Sequence, residues 1–166
     1  MIEYNRVELG KAAKERGFVR DTFEKVLRLK EILRYFNEDK YLKEHLVLKG
    51  GTAINMTIFN LPRLSVDIDM DFTPNYSKAD TEVNRKEITE RLQRYMQEEG
   101  YHLSESSRYS HSLDSFLFQY QNAGGNRDNI KVEINYSLRS HIFAPVERKI
   151  VTDAFDDSME IRTLEP

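Results

Sequence analysis

The feature that most constrains this chain is the heptapeptide VDIDMDF at residues 66–72, in which apolar and acidic side chains alternate. Strict alternation with a period of two is typical of a β-strand whose two faces differ in polarity. Asp67, Asp69 and Asp71 therefore share one face at intervals of about 6.6 Å, while the apolar side chains point into a core. Such a row of like charges destabilises a sheet unless it is solvated or neutralised.

Two interpretations of this acidic row remain open. It is either the solvated polar face of an edge strand or a set of oxygen ligands for a hard divalent cation. The chain has no cysteine, so any metal ligands must be oxygen or imidazole groups. In the later segment IKVEINYS, Glu133 lies on the polar face between Lys131 and Asn135. Glu133 is a third metal-binding acid if the two strands are neighbours, and otherwise an ordinary cross-strand ion-pair residue.

A glycine turn precedes the acidic strand. The apolar run LVLKGG at residues 46–51 ends in two glycines, and the following TAINMTIFN is predicted to be a helix. Gly50 and Gly51 permit positive φ and a close backbone approach, and Thr52 would open a helix whose free N–H groups suit an anion. A Gly-Gly pair is often only a turn. Because one short helix separates this turn from the acids, we expect phosphate and metal to meet in one cleft.

The remaining pattern predicts an α+β (α/β) fold with a mixed sheet flanked by helices. A helix is expected from Asp21, where Glu24 three residues later completes a capping-box spacing, and another from Ser77 to Gly100. LDSFLFQYQ and NIKVEINYS are predicted to pair as antiparallel strands across the loop NAGGNRD. At 166 residues the chain has the length of one domain.

Charge and hydropathy exclude several classes of protein. The net charge of −3 is not that of a non-specific nucleic-acid-coating protein. A mean hydropathy of −0.66 and the lack of a long apolar run predict no membrane span. The N-terminus has no apolar segment typical of a secretory signal, so the expected compartment is the cytoplasm.

Three segments, LKGGTAIN, LPRLSVDIDMDF and IKVEINYS, together resemble the signature of the AbiEii/AbiGii-type nucleotidyltransferase toxin family, within the DNA polymerase β-like nucleotidyltransferase superfamily. The superfamily pattern is a glycine turn, an Asp-x-Asp strand and a later acid. The matching residues are Gly50-Gly51-Thr52, Asp67-Ile68-Asp69-Met70 and Glu133. The lead-in Arg63-Leu64-Ser65-Val66-Asp67 is similar to the family's Arg-x-Ser-x-Asp.

The resemblance implies transfer of a nucleoside monophosphate from an NTP to an acceptor hydroxyl, with release of pyrophosphate. It assigns Mg²⁺ or Mn²⁺ to Asp67, Asp69 and Glu133, and the triphosphate to the turn at residues 50–52. Lys49 and Lys131 are candidate partners of a phosphate or a carboxylate, the alternative being ordinary solvated lysines. Ser65 is expected to hydrogen-bond near Asp67 and support the nucleotide site.

The resemblance also implies partners. The acceptor would be RNA, tRNA or a protein, and a separate antitoxin would oppose the activity in a toxin-antitoxin or abortive-infection system. The alternative is a catalytically inactive module that binds nucleotide or metal and acts through a partner protein. Residues 1–166 are expected to form a single catalytic domain that lacks the C-terminal helical region common in the family.

Overall fold

The structure, a computed structural model, describes residues 3–50, 67–137, 144–150 and 159–164. The helices within these ranges are α1 (Arg6–Glu15), α2 (Arg20–Glu38), α3 (Lys40–His45) and α4 (Lys78–Glu98). The strands are β1 (Leu46–Lys49), β2 (Asp67–Phe72), β3 (His102–Leu103), β4 (Arg108–Tyr109), β5 (Leu113–Gln121), β6 (Arg127–Asn135), β7 (Val146–Lys149) and β8 (Glu160–Thr163). None of these helices has the length and apolar character needed to cross a membrane.

Helix α4 begins and ends where the sequence predicts. The Ser77 hydroxyl accepts a hydrogen bond from the backbone N–H of Asp80 at 3.1 Å, which satisfies one of the free donors of the first turn. After the last turn, Gly100 adopts a φ of +84° and donates its N–H to the carbonyl of Gln97. Glycine adopts this left-handed conformation without the steric cost of a side chain, so it ends the helix.

The capping box predicted for α2 is wrong. The residue before the helix is Val19, and no side chain caps the first turn. Asp21 instead accepts a hydrogen bond from Arg20 at 2.7 Å. Glu24 is fully buried, accepts from Arg28 at 2.9 Å and also accepts from the backbone N–H of Ala123 at 2.7 Å. A tertiary role in tying α2 to the β5–β6 turn therefore replaces the local capping role.

The strands form one mixed sheet in the order β3-β5-β6-β2-β1-β8-β7, with β4 also pairing with β5. The β2–β6 and β1–β8 pairs are parallel, whereas the other pairs are antiparallel. Strands β5 and β6 form the predicted hairpin, in which Phe118 lies opposite Ile130. The predicted α+β fold with a mixed sheet flanked by helices is confirmed.

One face of the sheet is apolar and packs against the two long helices. Its buried side chains alternate along the central strands, and the buried stripes of α2 and α4 join them in a single hydrophobic cluster. The cluster includes Leu29, Ile32, Leu33, Phe36, Leu46, Leu48, Ile68, Met70, Phe72, Ile88, Leu92, Met96, Phe116, Phe118, Ile130, Val132 and Ile134. The alternating acidic residues of β2 therefore lie on the opposite face.

Part of the predicted turn and acidic lead-in lies outside the described residues. This applies to the helix predicted for TAINMTIFN and to Gly51, Thr52, Arg63 and Ser65. Their predicted contributions stay predictions. Gly50 and Asp67, which flank the segment, are both described.

Candidate functional site

Three neighbouring strands bring the predicted acids together on the polar face. The register places Lys49 of β1 beside Asp69 of β2, and Asp69 beside Glu133 of β6. Paired residues of adjacent strands point to the same face, so Asp69 and Glu133 are direct neighbours. Ser115 of β5 lies next in this row and donates its hydroxyl to Glu133 Oε1 at 2.9 Å. The predicted juxtaposition of Glu133 with the acidic strand is confirmed.

Lys131 bridges two of the acids. It lies beside Asp67 in the register, and its ammonium is 3.2 Å from Asp67 Oδ2 and 3.5 Å from Glu133 Oε1. Burial lowers the pKa of Lys131, but its hydrogen bond to Asp67 and the negative charges of Asp67 and Glu133 outweigh burial and raise that pKa. Lys131 is therefore a carboxylate partner, one of the two roles predicted for it, and not a freely solvated lysine.

Asp71, the third acid of the row, is buried, with a side chain only 1% exposed. Its Oδ1 lies 2.5 Å from the ammonium of Lys49 and accepts a hydrogen bond from the amide of Asn135 at 3.2 Å. Its Oδ2 is buried without a hydrogen-bond partner among the described residues. Lys49 thus supplies the positive charge beside Asp71. Like Lys131, Lys49 is the partner of a carboxylate, which is one of the two roles predicted for it.

Asp69 differs from the other acids because both lysines pair elsewhere. Within the described ranges no ion pair reaches its carboxylate. Burial raises the pKa of the Asp69 carboxyl, and the negative charges of Glu133 and Asp67 raise it further. The positive charges of Lys131 and Lys49 oppose this rise without cancelling it. Among the four described carboxylates of this face, Asp69 is therefore the one without an ion pair to a described residue.

The glycine turn reaches the same point. Gly50 has a φ of +77°, and a Cβ atom built on it would lie 2.7 Å from Asp69 Oδ2. Because glycine has a hydrogen atom where other residues have Cβ, the backbone at Gly50 can approach the Asp69 carboxylate this closely. Gly50, the first glycine of the predicted phosphate turn, therefore lies next to Asp69, the central acid of the row, as expected from the sequence.

Six of the nine predicted site residues lie on or beside this polar face. They are Lys49, Gly50, Asp67, Asp69, Lys131 and Glu133. The other three, Gly51, Thr52 and Ser65, fall outside the described residues. Their contact with the site stays a prediction, as do the chemical roles of all nine.

The donor chemistry fits a hard divalent cation. Asp67, Asp69 and Glu133 offer only carboxylate oxygens, which Mg²⁺ and Mn²⁺ prefer. Burial raises the pKa of the Asp69 carboxyl most, and the negative charges of Glu133 and Asp67 add to that rise; a cation would relieve this repulsion between the acids. No three acidic or histidine side chains in the described part of the chain are already arranged as a metal site. In this arrangement Asp67 and Glu133 both contact the Lys131 ammonium instead.

Two polar residues of the site were not predicted from the sequence. Ser115 supports Glu133, and Asn135 supports Asp71. The alternation of its strand places Asn135 on the polar face. Its partner Asp71 follows only from the parallel pairing of β6 with β2, which the sequence does not give. Ser115 also lies on an alternating strand, but only the β5–β6 register identifies its partner.

A cavity of about 930 Å³ lies away from this row, beside the β5–β6 turn. Its lining includes Tyr4, Arg28, Tyr120 and Arg127 and none of the predicted site residues. Arg28 is already paired with the buried Glu24. Among the described residues that line the cavity, the buried charges of Glu24 and Arg28 are therefore paired, and the acidic row remains the candidate site.

Residues 31–166 match the family model described as the nucleotidyl transferase AbiEii toxin of type IV toxin-antitoxin systems. The match covers most of the chain, which therefore belongs to the AbiEii nucleotidyltransferase toxin family. The resemblance drawn from the glycine turn, the acidic strand and Glu133 is confirmed. No curated protein sequence matches the chain significantly.

Solved structures give a more distant likeness. A proposed nucleotidyltransferase from H. pylori is 18% identical, with a TM-score of 0.49, over 84% of this chain and 53% of that one. JHP933 from Helicobacter pylori is also 18% identical, with a TM-score of 0.49, over 86% of this chain and 53% of that one. The chain thus spans about half the length of these two proteins.

Proposed function

We propose that this chain is a Mg²⁺- or Mn²⁺-dependent nucleotidyltransferase that moves a nucleoside monophosphate from an NTP to an acceptor hydroxyl and releases pyrophosphate. One observation carries the proposal. The Asp69 carboxylate, which has no ion-pair partner among the described residues, lies beside both Glu133 and Gly50, so the acids and the glycine turn share one location. Membership of the AbiEii family supports the same reaction class.

Asp67, Asp69 and Glu133 would hold the divalent ion, which would supply positive charge opposite the triphosphate. Residues 50–52 would bind the triphosphate through backbone N–H groups, because glycine lets an anion approach the backbone closely. Lys131, with its ammonium already beside this face, would donate to a phosphate oxygen. Ser65 and Lys49 complete the proposed nucleotide-binding set.

In the proposed reaction the acceptor hydroxyl oxygen forms a bond to the α-phosphorus. The bond between that phosphorus and the oxygen leading to the β-phosphate breaks, and pyrophosphate leaves with its electron pair. The proton of the hydroxyl passes to the Glu133 carboxylate. Ser115 holds Glu133 by a 2.9 Å hydrogen bond and so fixes the direction in which this carboxylate accepts.

The proposed setting is a toxin-antitoxin system in the cytoplasm, with a cognate antitoxin protein as partner. The description of the family, which names a toxin of type IV systems, supports the toxin-antitoxin setting. RNA, tRNA or a protein would supply the acceptor hydroxyl.

A second candidate function is a nucleotide- or metal-binding module without transfer activity, acting through a partner protein. The Lys131 ammonium favours it, because this group already contacts both Asp67 and Glu133. In such a module the lysine would replace a metal, and bound nucleotide would persist without turnover.

A labelling experiment separates these functions. The protein is incubated with Mg²⁺, total RNA or purified tRNA, and each NTP in turn, labelled at its α-phosphate. Label on RNA supports RNA nucleotidyl transfer, and label on protein indicates protein nucleotidylation. Nucleotide binding with no label on either acceptor favours the inactive module.

Two variants test the site itself. Asp69→Asn should abolish labelling while the protein remains folded, because it removes the central negative charge without changing side-chain shape. Glu90→Gln removes one negative charge from α4, where the Glu90 side chain is 57% exposed, and should leave labelling intact. Full labelling by Asp69→Asn would contradict the proposed site.

A further inference from the structure

The position of the Lys49 ammonium is unexpected from the register alone. Lys49 lies directly beside Asp69, yet its ammonium bonds to Asp71, two residues further along the neighbouring strand. Asp71 has a 1% exposed side chain, and Asn135 donates to the same Oδ1 that Lys49 contacts. A buried and hydrogen-bonded carboxylate therefore draws the ammonium away from its register partner.

We propose that Asp71 is a positioning residue that keeps the ammonium of Lys49 off Asp69, so that the Asp69 oxygens stay available to a divalent cation. The inference rests on the proposed function, because it takes Asp69 as a cation ligand. It adds a role for Asp71, which has no part in the proposed reaction.

The physical reason is a competition between two carboxylates for one ammonium. A lysine side chain is flexible and reaches either neighbour from the end of β1. The pair with Asp71 lies in a buried, low-dielectric environment, where an ion pair is stronger than at a solvated position. Asp69 is partly buried and has no ion-pair partner within the described ranges. Without the Asp71 charge, Asp69 is the carboxylate nearest in register to Lys49.

The test measures Mn²⁺ affinity by electron paramagnetic resonance, with no nucleotide present. Wild-type protein should bind Mn²⁺, and Asp69→Asn should lose that binding. Asp71→Asn should weaken Mn²⁺ binding about tenfold, because the released ammonium competes for Asp69. The double variant Lys49→Met, Asp71→Asn removes one positive and one negative charge, and its affinity should return to within about threefold of wild type.

The outcomes separate this inference from the proposed function. If wild-type protein does not bind Mn²⁺, the proposed metal site and the inference both fail. If wild type binds but Asp71→Asn binds equally well, only the positioning role is overturned. If the single and double variants are equally weak, Asp71 acts on the cation directly and not through Lys49, which also overturns the inference.

A structural readout does not depend on metal. A crystal structure of metal-free Asp71→Asn should place the Lys49 ammonium within hydrogen-bond distance of an Asp69 oxygen. An ammonium that stays on residue 71 overturns the inference. If Asp71→Asn does not fold, the double variant gives the decision, since replacing both members of a buried pair is better tolerated than removing one. A tenfold loss of Mn²⁺ affinity in that variant would refute the role of Lys49.

Discussion

The contact between Gly50 and Asp69 gives a sharp test of whether the glycine turn belongs to the site. Alanine at Gly50 has two costs. The φ of +77° lies in the left-handed region, which costs a non-glycine residue about 1–2 kcal/mol. The new Cβ would also lie 2.7 Å from Asp69 Oδ2, closer than such atoms approach, so the carboxylate must move.

Gly17 provides a matched control. Its φ is +76°, nearly that of Gly50, but a Cβ at this position would have no atom within 4 Å. Replacing glycine by alanine also lowers the entropy of the unfolded chain, which returns about 0.4–1 kcal/mol. We therefore expect Gly17→Ala to lower the free energy of unfolding by about 1 kcal/mol. Its Mn²⁺ binding and nucleotidyl transfer should be unchanged.

Gly50→Ala should lose at least as much stability as Gly17→Ala and, in addition, lose Mn²⁺ affinity and transfer. Urea denaturation gives the free energies of unfolding, and electron paramagnetic resonance gives the Mn²⁺ affinities. The reasoning is refuted if both variants lose equal stability and both bind Mn²⁺ like wild type. In that case Gly50 would be only a turn residue.

Three further predictions concern charged residues. Asp69→Asn should raise stability near neutral pH when no divalent ion is present. The pKa of the Asp69 carboxyl is raised in the folded state, so its ionisation destabilises the wild-type fold as pH rises through that pKa. Thermal melting should show that this gain vanishes at acidic pH, where the carboxyl is protonated in both the folded and the unfolded state. Lys131→Met should cost about 0.2–1 kcal/mol without divalent ions, since its ion pairs are partly exposed, and added Mn²⁺ should stabilise this variant more than wild type. Glu24→Gln should cost about 3 kcal/mol in urea denaturation, because Arg28 loses a buried counter-charge, while unchanged Mn²⁺ affinity would place this residue outside the site.

The strands of the site were predictable because each has a strong local pattern. Alternation in VDIDMDF assigned Asp67, Asp69 and Asp71 to one face, and β2 has its apolar residues buried as that pattern requires. The same period placed Glu133 on the polar face of β6. The hairpin was predictable because its two strands are consecutive and joined by a short glycine-containing loop.

The pairing of the lysines was not predictable, because period-two patterns identify faces and not neighbours. Lys49 and Lys131 have the sequence surroundings of ordinary solvated lysines. Their partners follow from the antiparallel β1–β2 register and the parallel β2–β6 register, which join residues far apart in the chain. For Glu24, by contrast, a local pattern predicted the wrong role. Its local spacing predicted a cap, and a tertiary contact with Ala123 prevailed.

Charge balance links the lysines to the proposed cation. The described part of the polar face holds four carboxylates, those of Asp67, Asp69, Asp71 and Glu133, beside two lysine ammoniums. With all groups ionised, two negative charges remain, which is the charge that one divalent cation neutralises. Because the ammoniums pair with the outer acids and with Glu133, Asp69 has no ion pair among the described residues, and its carboxyl pKa is raised by burial and then by the charges of Glu133 and Asp67. The lysines thus reduce the repulsion that destabilises the acidic row, while leaving the central carboxylate without an ion-pair partner among the described residues.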